Sequence, residues 1–190
     1  MANQMEQALI SSNSGFLENV FENRLRTTFG QIGWEVGPGL EKDFALSLTF
    51  NGHDDLIPYV DAIIYQAPDL PNWEFNSGRP PKRWDGRFEI RQQTGDIIVI
   101  DSSQWTYILT SFNQNEFFDV ALFGQLINVD EETRERACLI AVQGYLGERE
   151  TLQWIDQIVF LELPSADDAK RATPLEFLRE HIFSLKGVRS

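Results

Sequence analysis

Between residues 44 and 77 the apolar side chains change spacing twice, and that switch restricts the chain to few folds. Phe44, Leu46, Leu48 and Phe50 alternate with Ala45, Ser47 and Thr49, which is the period-two pattern of a strand. Asn51-Gly52 closes it. Leu56, Val60, Ile63, Ile64 and Ala67 then recur at helical steps, so a helix is expected from a cap at Asp54 or Asp55 to about residue 67. Pro58 fits such a helix only in its first turn, where the missing N–H has no intrahelical acceptor to lose. Pro68 and Pro71 stop the helix, and residues 73–77 are short and β-like. Strand, helix, strand in this order predicts a crossover unit.

Residues 1–13 are polar and read as a mobile terminus. Leu17, Val20, Phe21, Leu25 and Phe29 predict a helix over 16–29, ended by Gly30 and Gly33. A short strand is expected over 34–36. Beyond a loop at 78–86, the segments 88–92, 96–100, 105–112 and 117–127 are β-rich. Turn-like residues at 94–96 and 113–115 suggest an antiparallel meander. Asp130 is placed to cap a helix over 131–145 whose apolar side carries Ala137, Cys138, Ala141, Val142 and Tyr145. A short helix over 148–155, a buried strand over 158–163, a loop over 164–169 and a last helix over 174–185 follow, the last with Leu175, Leu178, Ile182 and Leu185 on one side. The expected fold class is α+β: a single two-layer domain over 14–190, with a largely antiparallel twisted sheet, helices packed on one face and one crossover in the N-terminal half.

A chain of 190 residues buries roughly 70% of its unfolded surface, so it needs no metal or disulfide for support. The net charge of −13 disfavours nucleic acid and anionic membranes as partners, because phosphate binding is built on Lys and Arg. It suits solubility or complementarity to a basic protein. The single cysteine, an N-terminus without a signal-peptide pattern and the lack of any long apolar run lead us to expect a reducing cytoplasm.

Chemistry-bearing clusters are sparse. His53 and His181 are the two histidines and lie far apart, too little for a metal site, and no cofactor motif is present. Cys138 sits on an apolar helix face and reads as an inert core thiol. Asp130-Glu131-Glu132 marks a helix start, where negative charge is favourable.

The local anomaly is basic. Residues 79–91 hold Arg79, Lys82, Arg83, Arg87 and Arg91 against Asp85 and Glu89, five minus two giving +3. Trp84 lies among them, and Trp73 shortly before. Stiff prolines, a flat aromatic and guanidinium forks can bind an anion or a partner. The same charges can instead pair with the acidic surface of their own molecule.

Phe44-Ala-Leu-Ser-Leu-Thr-Phe-Asn-Gly52, Leu56-Ile-Pro-Tyr-Val60, Ala67-Pro-Asp-Leu-Pro-Asn-Trp73 and Arg79-Pro80 together resemble a pattern found in uncharacterised bacterial proteins. There a strand, a helix with an early proline and an Ala-Pro-x-Leu-Pro-x-Trp break lead into the next strand. Residues 141–160, with Leu146-Gly147-Glu148 between two helices, are similar to the end of that pattern. Asn72 departs from it, standing where glycine is usual. The resemblance implies a bacterial cytoplasmic setting and an α+β fold, and it brings no catalytic residues.

From the sequence, then, the expectation is a non-enzymatic binding or regulatory protein with a protein partner, an immunity-type antagonist of a basic toxin being one concrete version. The rival is a hydrolase or transferase acting on a small anionic substrate at residues 79–91. A homo-oligomer assembled through aromatic surface is the third reading.

Overall fold

The computed structural model describes residues 30–188 and, ahead of them, Gly15. The expected mobile terminus and the helix over 16–29 lie outside the described residues. The chain divides into two compact units, the first ending at Pro80 and the second opening at Pro81. The fold class is α+β, with nine strands in open sheets and five α-helices among the described residues.

In the first unit, β1 (Gly33–Gly37) pairs antiparallel with β2 (Phe44–Thr49), and β2 pairs parallel with β3 (Trp73–Ser77). A 3-10 turn (Asp54–Leu56) and helix α1 (Ile57–Tyr65) cross between the parallel strands, with Pro58 in the first turn of the helix. The crossover is therefore the one the changing apolar period predicts. Neither Asp54 nor Asp55 serves as a side-chain cap. Both lie inside the 3-10 turn rather than before it, so they act on the positive helix end through charge alone. Phe50, Val60 and Trp73 are buried, and the Trp73 ring packs between Phe44 and Phe75 at centroid separations of 5.3 and 6.4 Å.

The second unit begins with the hairpin of β4 (Arg87–Arg91) and β5 (Ile97–Asp101). A separate four-stranded sheet has the order β8-β7-β6-β9, from β6 (Thr106–Phe112), β7 (Phe117–Phe123), β8 (Ile155–Leu161) and β9 (Thr173–Pro174). The expected continuous meander is thus broken between β5 and β6. The start of β6 is already paired with β9, Thr106 opposite Pro174 and Tyr107 opposite Thr173, and Ser102 turns the chain away by donating its N–H and hydroxyl to Gly86 O, at 2.9 and 2.8 Å. A second crossover, absent from the sequence reading, joins parallel β7 and β8 through α2 (Glu131–Leu146) and α3 (Glu148–Trp154). Helix α4 (Asp168–Arg171), a 3-10 turn (Leu175–Phe177) and α5 (Leu178–Lys186) complete the unit.

Its core is where the period patterns meet. Phe118, Val120 and Leu122 of β7 alternate inward, and Ala137, Cys138, Ala141 and Val142 of α2 and Leu178 and Ile182 of α5 join them in one buried cluster. Leu185, expected inside, is exposed, and Phe183 takes the buried place. Trp154 decides this, meeting Phe183 edge to face at 5.3 Å. Burial pushes the Cys138 thiol up to about 12, which keeps it protonated and unreactive.

Asp130 caps α2 as the sequence indicates, accepting the Thr133 N–H at 2.8 Å. That bond favours the charged carboxylate and holds its pKa below the ordinary value of 3.8. A depressed pKa contributes stability above the unfolded value and loses it as pH falls through the folded one. Asp130→Ala is therefore expected to lower the urea midpoint at pH 7, with the difference from wild type narrowing as the pH falls below the ordinary carboxylate range.

Candidate functional site

The basic segment is divided by the boundary between the units. Trp73 and Arg79 belong to the first. Trp73 is 2% exposed, and Arg79 donates from Nε to Glu35 at 2.7 Å. Lys82, Arg83, Trp84, Arg87 and Arg91 belong to the second. The Lys82 N–H donates to Gly144 O at 2.7 Å, and its ammonium lies 5.8 Å from the Trp84 ring centre. Arg83 is exposed. Trp84 is half-buried, stacked on Phe88 and tilted against Tyr145, each at 5.5 Å. Arg87 donates from Nε to Asp101 at 2.9 Å, and Arg91 donates to Gly95 O at 3.0 Å. Arg79 and Arg87 thus face acidic residues of their own chain. Such exposed pairs contribute little, because solvent screens them.

A tighter constraint lies beneath the basic segment. A Cβ on Gly144 would come within 2.1 Å of Trp84 Cζ2, so only glycine lets the indole lie on α2. The Trp84 Nε1–H is buried there without a hydrogen-bond partner. Arg136 of α2 also donates to Arg91 O at 3.2 Å. These contacts fasten the β4–β5 hairpin to the helix.

The fastened hairpin borders a cleft of about 700 Å³. Its walls come from β5, from the turn leading into β6, and from the chain just beyond β7 and β8, with Trp105 among the lining residues. Val99, Ile127 and Leu163 stand around it at 66, 76 and 80% exposure. Its lining contains two charged residues, Asp101 and Glu162, and no Lys or Arg. Asp101 accepts from the Ser103 hydroxyl at 2.6 Å, from the Ser103 N–H at 3.0 Å and from Arg87. The Ser103 bonds, with Arg87 next, hold its carboxyl below the usual range, so it is ionised at neutral pH. Gly124 lets the chain leave β7 against the Trp105 indole, which a Cβ there would strike.

Sequence reasoning passed over these residues. Ile127 was assigned to a strand over 117–127 that ends at Phe123. Leu163 was expected to be buried in a strand that ends at Leu161.

The first unit has a smaller cleft of about 510 Å³. Its charges are satisfied locally, Lys42 lying 3.3 Å from Asp69 and Glu74 accepting the N–H groups of Glu41 and Lys42. His53 is exposed in the first unit, and His181 in the second bonds the Tyr107 hydroxyl through Nδ1 at 2.8 Å. Among the described residues no three His, Cys, Asp or Glu converge as metal ligands, and no helix is long and apolar enough to cross a membrane. Comparison with known proteins returned no matching family model, no matching curated protein and no matching solved structure.

Gly144→Ala should displace Trp84 and destabilise the protein by about 1–3 kcal/mol, the usual range for overpacking. Trp84→Phe keeps a ring on the helix, removes the unpaired donor and should cost less. Denaturation of the two variants, with the Trp fluorescence maximum of Gly144→Ala followed alongside, checks the order.

Proposed function

We propose that this chain is a binding protein that engages a basic protein partner through the cleft of its second unit. The carrying observation is the composition of that cleft: exposed Val99, Ile127 and Leu163 around a concavity whose charged members are Asp101 and Glu162. Covering an aliphatic side chain of this size is worth about 1.5–3 kcal/mol. The carboxylates and the net charge of −13 would draw a cationic partner to the site and reject acidic ones. An immunity-type antagonist of a basic toxin is the concrete form that fits, in the bacterial cytoplasmic setting implied by residues 44–80. The same charge sign disfavours nucleic acid. The rival reading, a transferase or hydrolase site over residues 79–91, has to contend with Arg87 already being engaged by Asp101.

Val99→Ser/Leu163→Ser tests the proposal. Both side chains are exposed, so the pair should leave stability within about 0.5 kcal/mol per site. Wild type should retain a basic protein from native cells at low salt, less of it at moderate salt, and the double variant should lose it at unchanged melting temperature. Identical captures by the two proteins, or no partner at either salt, would remove the proposal.

A further inference from the structure

The cleft has a strand edge for one wall. In the hairpin sheet β5 pairs with β4, and among the described residues no strand pairs with its other side. Ile98, Val99, Ile100 and Asp101 all line the cleft. A pleated strand shows alternate residues to either face, so four consecutive lining residues mean that the cleft runs along the edge of β5.

Exposed edges are ordinarily blunted by lysine, proline or a bulge. β5 reads Ile-Ile-Val-Ile-Asp and is paired with β4 in unbroken register, so Asp101 at its end is its one charge and it has no lysine, proline or bulge. Ile127 and Leu163 line the same cleft and are exposed in it.

Charge narrows the occupant. A second copy of this chain would bring its own net charge of −13 to a cleft whose charged members are Asp101 and Glu162. A cationic segment meets no such penalty.

Resting on the binding role proposed above, we infer that the partner contributes an extended, basic and apolar segment that adds as a strand to the free edge of β5. β5 is five residues long, or about 17 Å at ~3.3 Å per residue, which sets the docked length at about five to seven residues. Main-chain hydrogen bonds to β5 would supply register, and alternate apolar side chains would fill the cleft.

The probe is a fluorescent heptapeptide, Lys-Val-Lys-Val-Lys-Val-Lys with blocked ends, titrated by anisotropy against the full chain at low salt. Two further peptides carry N-methyl groups on the lysine or on the valine amides. In a strand alternate amides point to opposite edges, so strand addition predicts that one methylated peptide loses at least about tenfold in affinity while the other binds like the parent. Glu162→Lys should weaken the parent at least about fivefold. Parent binding that is sensitive to Glu162→Lys but changes with neither methylation, or falls with both, overturns strand addition and leaves the cleft as a binding site. Parent binding that ignores Glu162→Lys, or no parent binding, overturns both readings.

Discussion

The second unit depends on one close approach, that of the Trp84 indole to α2 at Gly144. No other residue type leaves room for the ring there. The same carbonyl, Gly144 O, receives the Lys82 N–H, so the chain entering the unit is tied to the helix before β4 begins. Phe88 stacks on Trp84 and carries the contact into the strand. Gly86 then receives both donors of Ser102, which fixes the far end of the hairpin against its start. The hairpin is thereby held beside the four-stranded sheet without being part of it.

That separation produces the cleft. Had β5 paired with β6, its edge would be satisfied and the chain beyond β7 would have no gap to border. Instead β9 occupies the start of β6 with a ladder of two residues, Thr173 and Pro174. Leu175 extends the attachment by donating its N–H to Trp105 O at 2.9 Å. The exposed Ile, Val and Leu side chains around the cleft lose favourable burial in the free protein, and a partner that covers them recovers it.

How legible this was depended on how local the cause was. Residues 44–77 were readable because alternation, the early Pro58 and the pair Pro68 and Pro71 all act within a few positions, and β3 falls on the residues the pattern marks. The Asp130 cap was readable for the same reason. The division into three sheets was not, since β9 carries no strand pattern of its own and earns its place only by meeting β6. Phe183 and Leu185 were equally apolar neighbours on one helix until Trp154 selected between them. The basic segment was visible as a run of charge. Its attachments to Asp101 and Gly144 were not, because both lie elsewhere in the sequence. The cleft was hidden most fully, being assembled from segments near residues 98–106, 123–129 and 162–164.

Under the proposed binding role, recognition lies on the β5 edge of the second unit rather than on the basic segment that stands out in the sequence. Backbone amide shift mapping of the full chain, titrated with a basic peptide of alternating valines, addresses it residue by residue. The largest shifts are expected at Ile97 to Asp101 and around Ile127 and Leu163, with Lys82 and Arg83 little affected. Shifts centred on Lys82, Arg83 and Arg91, with the β5 amides unmoved, would contradict it.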